Sequence, residues 1–181
     1  VAPFFTMVIF TVQMTWKAGR NHPNKAALLW SIGCSVMAFF GAGVWGFLHT
    51  LSSVNYYTHG TQVTAAHGHL AFFGAYVMLN LAMMAYAIPE LKGRAPYNQW
   101  LSIASFWMMC TAMSVMTFAL TFAGVVQVHL QRVLGQSFMD VQHQIALFYW
   151  VRLGSGVVVV ISALMFVWAV LVPGRERSAD P

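Results

Sequence analysis

The tightest grouping of metal-competent side chains is Ala66-His67-Gly68-His69-Leu70, two imidazoles separated by one glycine. On an α-helix a two-residue step means about 200° of rotation, so the two imidazoles leave opposite flanks and do not readily share one metal ion. They can serve two separate iron centres, with the helix backbone as a short spacer. Neutral imidazole is a standard axial ligand of haem iron. Gly68, having no side chain, lets a bulky planar cofactor approach from either flank. A single histidine at the end of a membrane helix is most often a hydrogen-bonded packing or interface residue. Two in three residues, in the least charged part of the chain, shift the balance toward function, because ionisable groups inside membranes are functional by default.

The elements that must position this pair are set by the charge distribution. Of 181 residues 59% are hydrophobic, with nine Lys+Arg and four Asp+Glu, where a soluble domain of this length carries roughly 45 charged residues. No charge falls between Ala26 and Pro89, between Ala95 and Gln131, or between Leu153 and Gly174. Such runs exclude a soluble globular protein and belong in lipid. The net charge of +5 does not point to nucleic acid, since the basic residues sit in short loops and form no phosphate-tracking face. Five apolar segments follow: 1–16, 26–51, 65–88, 100–128 and 146–172. No alternating barrel pattern is present, so all are helices and the fold class is an all-α polytopic membrane bundle. Pro89 is expected to end the third helix. The first segment is short, with no initiator Met, basic n-region or cleavage site, and reads as a span entered midway in a longer polypeptide.

Lys17, Arg20 and Lys25, then Lys92 and Arg94, then Arg175 and Arg177 fall by alternation on one side, whereas the opposite loops hold only Arg132. The positive-inside rule puts the C-terminal tail, 173–181, in the cytoplasm and the start of the His67 helix at the outer side. Of seven histidines only His22 is then inner; His49, His59, His67, His69, His129 and His143 lie in or near the outer ends of spans. Cys34 and Cys110 are expected as buried thiols. Gly41-Ala42-Gly43-Val44-Trp45-Gly46 satisfies G-x-G-x-x-G, but inside a span it reads as close helix packing, and Gly154-Ser155-Gly156 suggests a similar contact. Arg152 is the one charge that enters a span, expected near the outer interface and paired with Asp140 or an anionic cofactor group.

The run from His49-Thr50-Leu51 through Asn55-Tyr56-Tyr57-Thr58-His59-Gly60-Thr61-Gln62 to His67-Gly68-His69-Leu70-Ala71-Phe72-Phe73-Gly74 closely resembles the large subunit of bacterial cytochrome c-dependent nitric-oxide reductases, within the haem-copper oxidase superfamily. The resemblance continues through Gln127-Val128-His129-Leu130-Gln131-Arg132 and covers essentially the whole chain. It implies the C-terminal part of a haem-copper oxidase-type fold in the bacterial inner membrane. His67 would be the proximal ligand of a high-spin haem b and His69 an axial ligand of a low-spin haem b, with His59 and Tyr56 or Tyr57 near the haem propionates. The remaining implied cofactors are a non-haem iron, whose histidine and glutamate ligands precede Val1, and calcium near the propionates. The implied partner is a membrane-anchored c-type cytochrome, and the reaction is reduction of two nitric oxide molecules to nitrous oxide and water. The chain alone would be inactive and would supply one wall of the site. An oxygen-reducing haem-copper oxidase, a non-catalytic dihaem electron relay and a histidine-bearing transporter remain as other readings of the same residues.

Overall fold

The computed structural model describes residues 24–96 and 98–172, together with residues 6, 9, 10, 12–14, 16 and 17. The expectations for most of the first segment, for His22 and for the tail therefore lie outside the described residues. Six helices are defined between residues 24 and 172: α1 (Lys25–Thr50), α2 (Ser52–Thr58), α3 (Gln62–Leu91), α4 (Gln99–Val133), α5 (Phe138–Gln144) and α6 (Ala146–Leu171). The helices α1, α3, α4 and α6 are long and apolar enough to cross a membrane. The all-α membrane bundle expected from the charge pattern is what forms.

Local chemistry explains where the helices begin. Asn24 caps α1 by accepting from the Ala27 N–H at 3.0 Å, Asn98 caps α4 through the Leu101 N–H, and Thr61 caps α3 through the Val63 N–H. The Lys25 N–H donates to Gln99 Oε1 at 2.9 Å, which ties the starts of α1 and α4 together. At the other end Gly60, with φ of +73°, makes the left-handed turn from α2 into α3.

Pro89 does not end α3, which continues to Leu91. A proline at this position leaves the Ala85 carbonyl, four residues earlier, without its helical donor. The Asn24 side chain supplies one, Nδ2 donating to the Ala85 oxygen at 2.8 Å, so the helix passes through the proline without an orphaned acceptor. The boundaries shift elsewhere too. The fourth segment extends past Val128 through a π-helical turn, His129–Val133. Both loops expected on the outer side contain a short helix, α2 or α5.

Helices in lipid gain little from excluding water, so they associate by close packing and small residues. Trp30, fully buried, is the centre of one such contact. Its indole meets Phe106 of α4 and Phe166 of α6 edge-on, at 5.1 and 5.4 Å, and its N–H donates to Ser102 Oγ at 3.2 Å. Ser105 of α4 donates to the Ser162 carbonyl of α6 at 2.7 Å, a buried bond between the two helices. Cys34 and Cys110 are buried, as are Met78, Met109, Met113 and Met116, whereas Met83 and Met84 face outward.

Candidate functional site

The helix that carries His67 and His69 is gripped from two sides by glycines. A Cβ on Gly41 of α1 would lie 2.6 Å from the Leu70 and Ala71 backbone, and one on Gly74 of α3 would lie 2.4 Å from the Met37 and Ala38 backbone. The two glycines thus let α1 and α3 touch main chain to main chain. On the α4 side, a Cβ on Gly124 would come within 2.2 Å of the Val63 nitrogen. The expected close packing by Gly41 is present. The Gly154-Ser155-Gly156 stretch differs, because Gly154 faces open space and Gly156 has only the Met116 Cε atom at 3.8 Å; Ser155 is the buried member. The contact needs a small face turned toward α4, and the serine provides it.

Two π-helical segments, Phe39–Trp45 in α1 and Phe73–Val77 in α3, flank this crossing. Such widened turns recur at functional sites because they re-aim side chains within an otherwise continuous helix.

His67 faces α1. Its Nδ1 donates to the Gly41 carbonyl at 3.0 Å, and its Cε1 lies 3.6 Å from where a Gly46 Cβ would stand. His69 faces the other way. Its Nδ1 donates to the Ala65 carbonyl at 2.7 Å, and the ring lines a cavity of about 720 Å³ with Met116, Tyr149, Arg152, Gly156 and Val160. A carbonyl oxygen can only accept, so in both rings Nδ1 carries the proton and Nε2 is the free lone pair. That tautomer, with one ring nitrogen tied to backbone and the other bare, is the one that ligates metal. Gly68, between them, has nothing within 4 Å of its would-be Cβ. The cavity volume is that of a cofactor or small-ligand site. The His69 flank therefore has room for a planar cofactor, and His67 offers a second imidazole nitrogen on the opposite flank.

Polar side chains close the end of the His69 cavity nearest the start of α3. Gln62 Nε2 donates to the Tyr149 hydroxyl at 2.9 Å, the Tyr149 hydroxyl donates to Gln142 Oε1, and the Gln62 N–H donates to Gln127 Oε1 at 2.9 Å. One network thus joins the starts of α3 and α6 to α4 and α5. Arg152 lines the cavity, and among the described residues it pairs with no carboxylate. The expected pairing with Asp140 is not made. Asp140 instead accepts from the Ser137 hydroxyl at 2.6 Å, within the cap of α5.

His59, Tyr56 and Tyr57 are exposed, the two tyrosine rings meeting edge-on at 5.1 Å; His129 and His143 are exposed as well. Among the described residues no three His, Cys, Asp or Glu side chains converge on one point. The sequence assigns His49 no role beyond a position near a span end, yet its ring stacks on His67 with centroids 4.8 Å apart and planes 22° from parallel. The signal was available in principle, since His49 and the Gly41–Gly46 glycines share one helix end. What was missing was the α1–α3 crossing that turns them toward His67. Tyr149 was likewise missed, a lone tyrosine in an apolar run giving no pattern to read.

Residues 1–158 match the family described as cytochrome c and quinol oxidase polypeptide I. Among curated relatives, a nitric oxide reductase subunit of Stutzerimonas stutzeri is 49% identical over 181 residues, 96% of this chain and 38% of that protein. Cytochrome c oxidase subunit 1 of Cereibacter sphaeroides is 30% identical over 106 residues, 59% of this chain and 18% of that protein. The chain thus spans well under half the length of either relative. Its helical architecture and its extended match over 158 residues give one conclusion: the chain belongs to the cytochrome c and quinol oxidase polypeptide I family, the haem-copper oxidases, and is similar to a nitric oxide reductase subunit along almost all of its length.

Proposed function

We propose that this chain forms one wall of the catalytic subunit of a cytochrome c-dependent nitric-oxide reductase in the bacterial inner membrane. The observation that carries the reading is the pair His67 and His69 on opposite flanks of α3, each with Nδ1 tied to a backbone carbonyl and Nε2 bare. His67 would hold the iron of a high-spin haem b and His69 that of a low-spin haem b in the cavity with Tyr149 and Arg152. The bound haems and a non-haem iron would supply the redox chemistry that joins two nitric oxide molecules into nitrous oxide and water with two electrons and two protons. The chain's own contribution is to fix the two ligand directions. Backbone hydrogen bonds set the ring tautomers, glycine contacts set the rotation of α3, and the outer polar network covers the His69 cavity. In this reading a membrane-anchored c-type cytochrome delivers electrons from the outer side and the C-terminal tail is cytoplasmic. His59, with Tyr56 or Tyr57, stands near the propionates, where calcium would also bind.

Similarity over 96% of the chain to a nitric oxide reductase subunit, against 59% to an oxygen-reducing relative, favours the nitric-oxide branch. The test uses the complete complex in membranes. His67→Ala should abolish the high-spin haem signal and nitric oxide consumption. His69→Ala should remove the low-spin haem signal and stop electron entry. Normal haem spectra and turnover in both variants would sink the ligand assignment, and copper with oxygen consumption in place of nitric oxide consumption would move the chain to the oxidase branch.

A further inference from the structure

We propose that His49 is a positioning residue that fixes the plane of the His67 imidazole; this rests on the reading of His67 as an iron ligand. The His67 ring is held at one point by its bond to the Gly41 carbonyl. One hydrogen bond leaves rotation about Cβ–Cγ loosely defined, because a torsion between sp³ and sp² atoms is broad. His49 supplies the second constraint. Its ring lies 4.8 Å from that of His67 and 22° from parallel, close enough that a turn of the His67 ring drives it into its neighbour.

His49 is itself anchored. Its Nδ1 donates to the Trp45 carbonyl at 2.9 Å, one turn back in α1, and the Trp45 ring backs it with centroids 6.1 Å apart. The Nε2 atom of His49 is buried and has no hydrogen-bond partner among the described residues. The contact His49 makes with His67 is through the face of the ring. A stack, unlike a hydrogen bond, is retained when the imidazole is replaced by another flat ring. The stacking role of His49 is therefore separable from its bare Nε2 atom.

The experiment is resonance Raman spectroscopy of the reduced complex, reading the iron–histidine stretching band of the high-spin haem. His49→Leu removes the flat face and should split or broaden the band into several ring orientations. His49→Phe keeps the face and the backing of the Trp45 ring, gives up both nitrogens including the Nδ1 bond to the Trp45 carbonyl, and should retain a single band. Loss of the Leu variant during assembly beside a normal Phe variant reports the same dependence in extreme form. A wild-type band in the Leu variant, or equal broadening in both, overturns the proposal. His67→Gly serves as the separate control. Should the band survive that substitution, His67 is not the ligand and the functional reading fails; should it vanish while His49 variants are unaffected, only the positioning role fails.

Discussion

Gly41→Ala is the substitution that most directly couples helix packing to the candidate site. The added Cβ would stand 2.6 Å from backbone atoms of Leu70 and Ala71, and ordinary contact begins at 3.4 Å, so α1 and α3 must part locally by about 0.8 Å. Neither neighbour is a flexible side-chain tip that could swing aside. Overpacking of this kind costs about 1–3 kcal/mol. The same displacement stretches the His67 Nδ1 bond to the Gly41 carbonyl from 3.0 Å beyond hydrogen-bonding range, adding about 1 kcal/mol. Replacing a mid-helix glycine by alanine returns about 0.5–1 kcal/mol, leaving a net loss of about 1–3 kcal/mol. Gly43→Ala is the internal control. It lies two residues away in the same π-helical segment, its Cβ would meet only the Phe39 ring at 3.5 Å, and it should be neutral or gain stability. The assay is thermal unfolding of the purified complex, followed together with retention of the high-spin haem. Gly41→Ala should melt earlier and lose that haem signal first, with the low-spin signal less affected. Equal melting of the two variants, or haem loss that ignores the His67 side, would refute the coupling.

Three further substitutions test the other supports. Asn24→Asp keeps the acceptor that caps α1 but cannot donate to the Ala85 carbonyl, so it should cost about 1–3 kcal/mol in thermal unfolding. Pro89→Ala would restore a helical N–H to that carbonyl and should recover part of the loss; strictly additive effects in the double variant would contradict the proposed compensation. Tyr149→Phe removes the hydroxyl shared by Gln62 and Gln142 and should destabilise by about 1 kcal/mol. It should alter the low-spin haem spectrum while leaving the high-spin one unchanged, and the reverse pattern would place the low-spin haem outside this cavity.

The charge-free runs told the fold class because lipid penalises every ionisable group, and the H-x-H spacing told the opposite flanks because helix geometry leaves no other arrangement. Boundaries were less legible. Pro89 looked like a terminus since a proline removes a local donor, but Asn24, 61 positions from the carbonyl it serves, replaces that donor, and no local pattern encodes it. The Gly154-Ser155-Gly156 reading failed for a related reason: a small-residue motif states that close approach is permitted, whereas the facing helix decides where it happens. His49 escaped notice because its significance depends on the crossing of α1 with α3. Of the two partners expected for Arg152, Asp140 is engaged in the cap of α5, which leaves the anionic cofactor group as the remaining expectation.

In the proposed reading, the arrangement also explains why two ligand directions on one helix require so much packing around them. A rotation of α3 about its axis would move His67 and His69 in opposite senses, pushing one ring toward its neighbours as it withdrew the other. Neither imidazole can correct for the error independently, because each is tied by Nδ1 to a backbone carbonyl. Rotation must therefore be prevented by contacts that involve main chain, which cannot relax by changing rotamer. The glycines at 41, 74 and 124 make such contacts, against α1 on one side and α4 on the other, and above and below the ligand pair along the helix. Gln127 adds a hydrogen bond to the first turn of α3, at the Gln62 N–H. The open space beside Gly68 lies between these supports. Small residues thus perform two different tasks in this helix: at Gly74 the missing side chain admits another backbone, and at Gly68 it leaves open space between the two imidazoles.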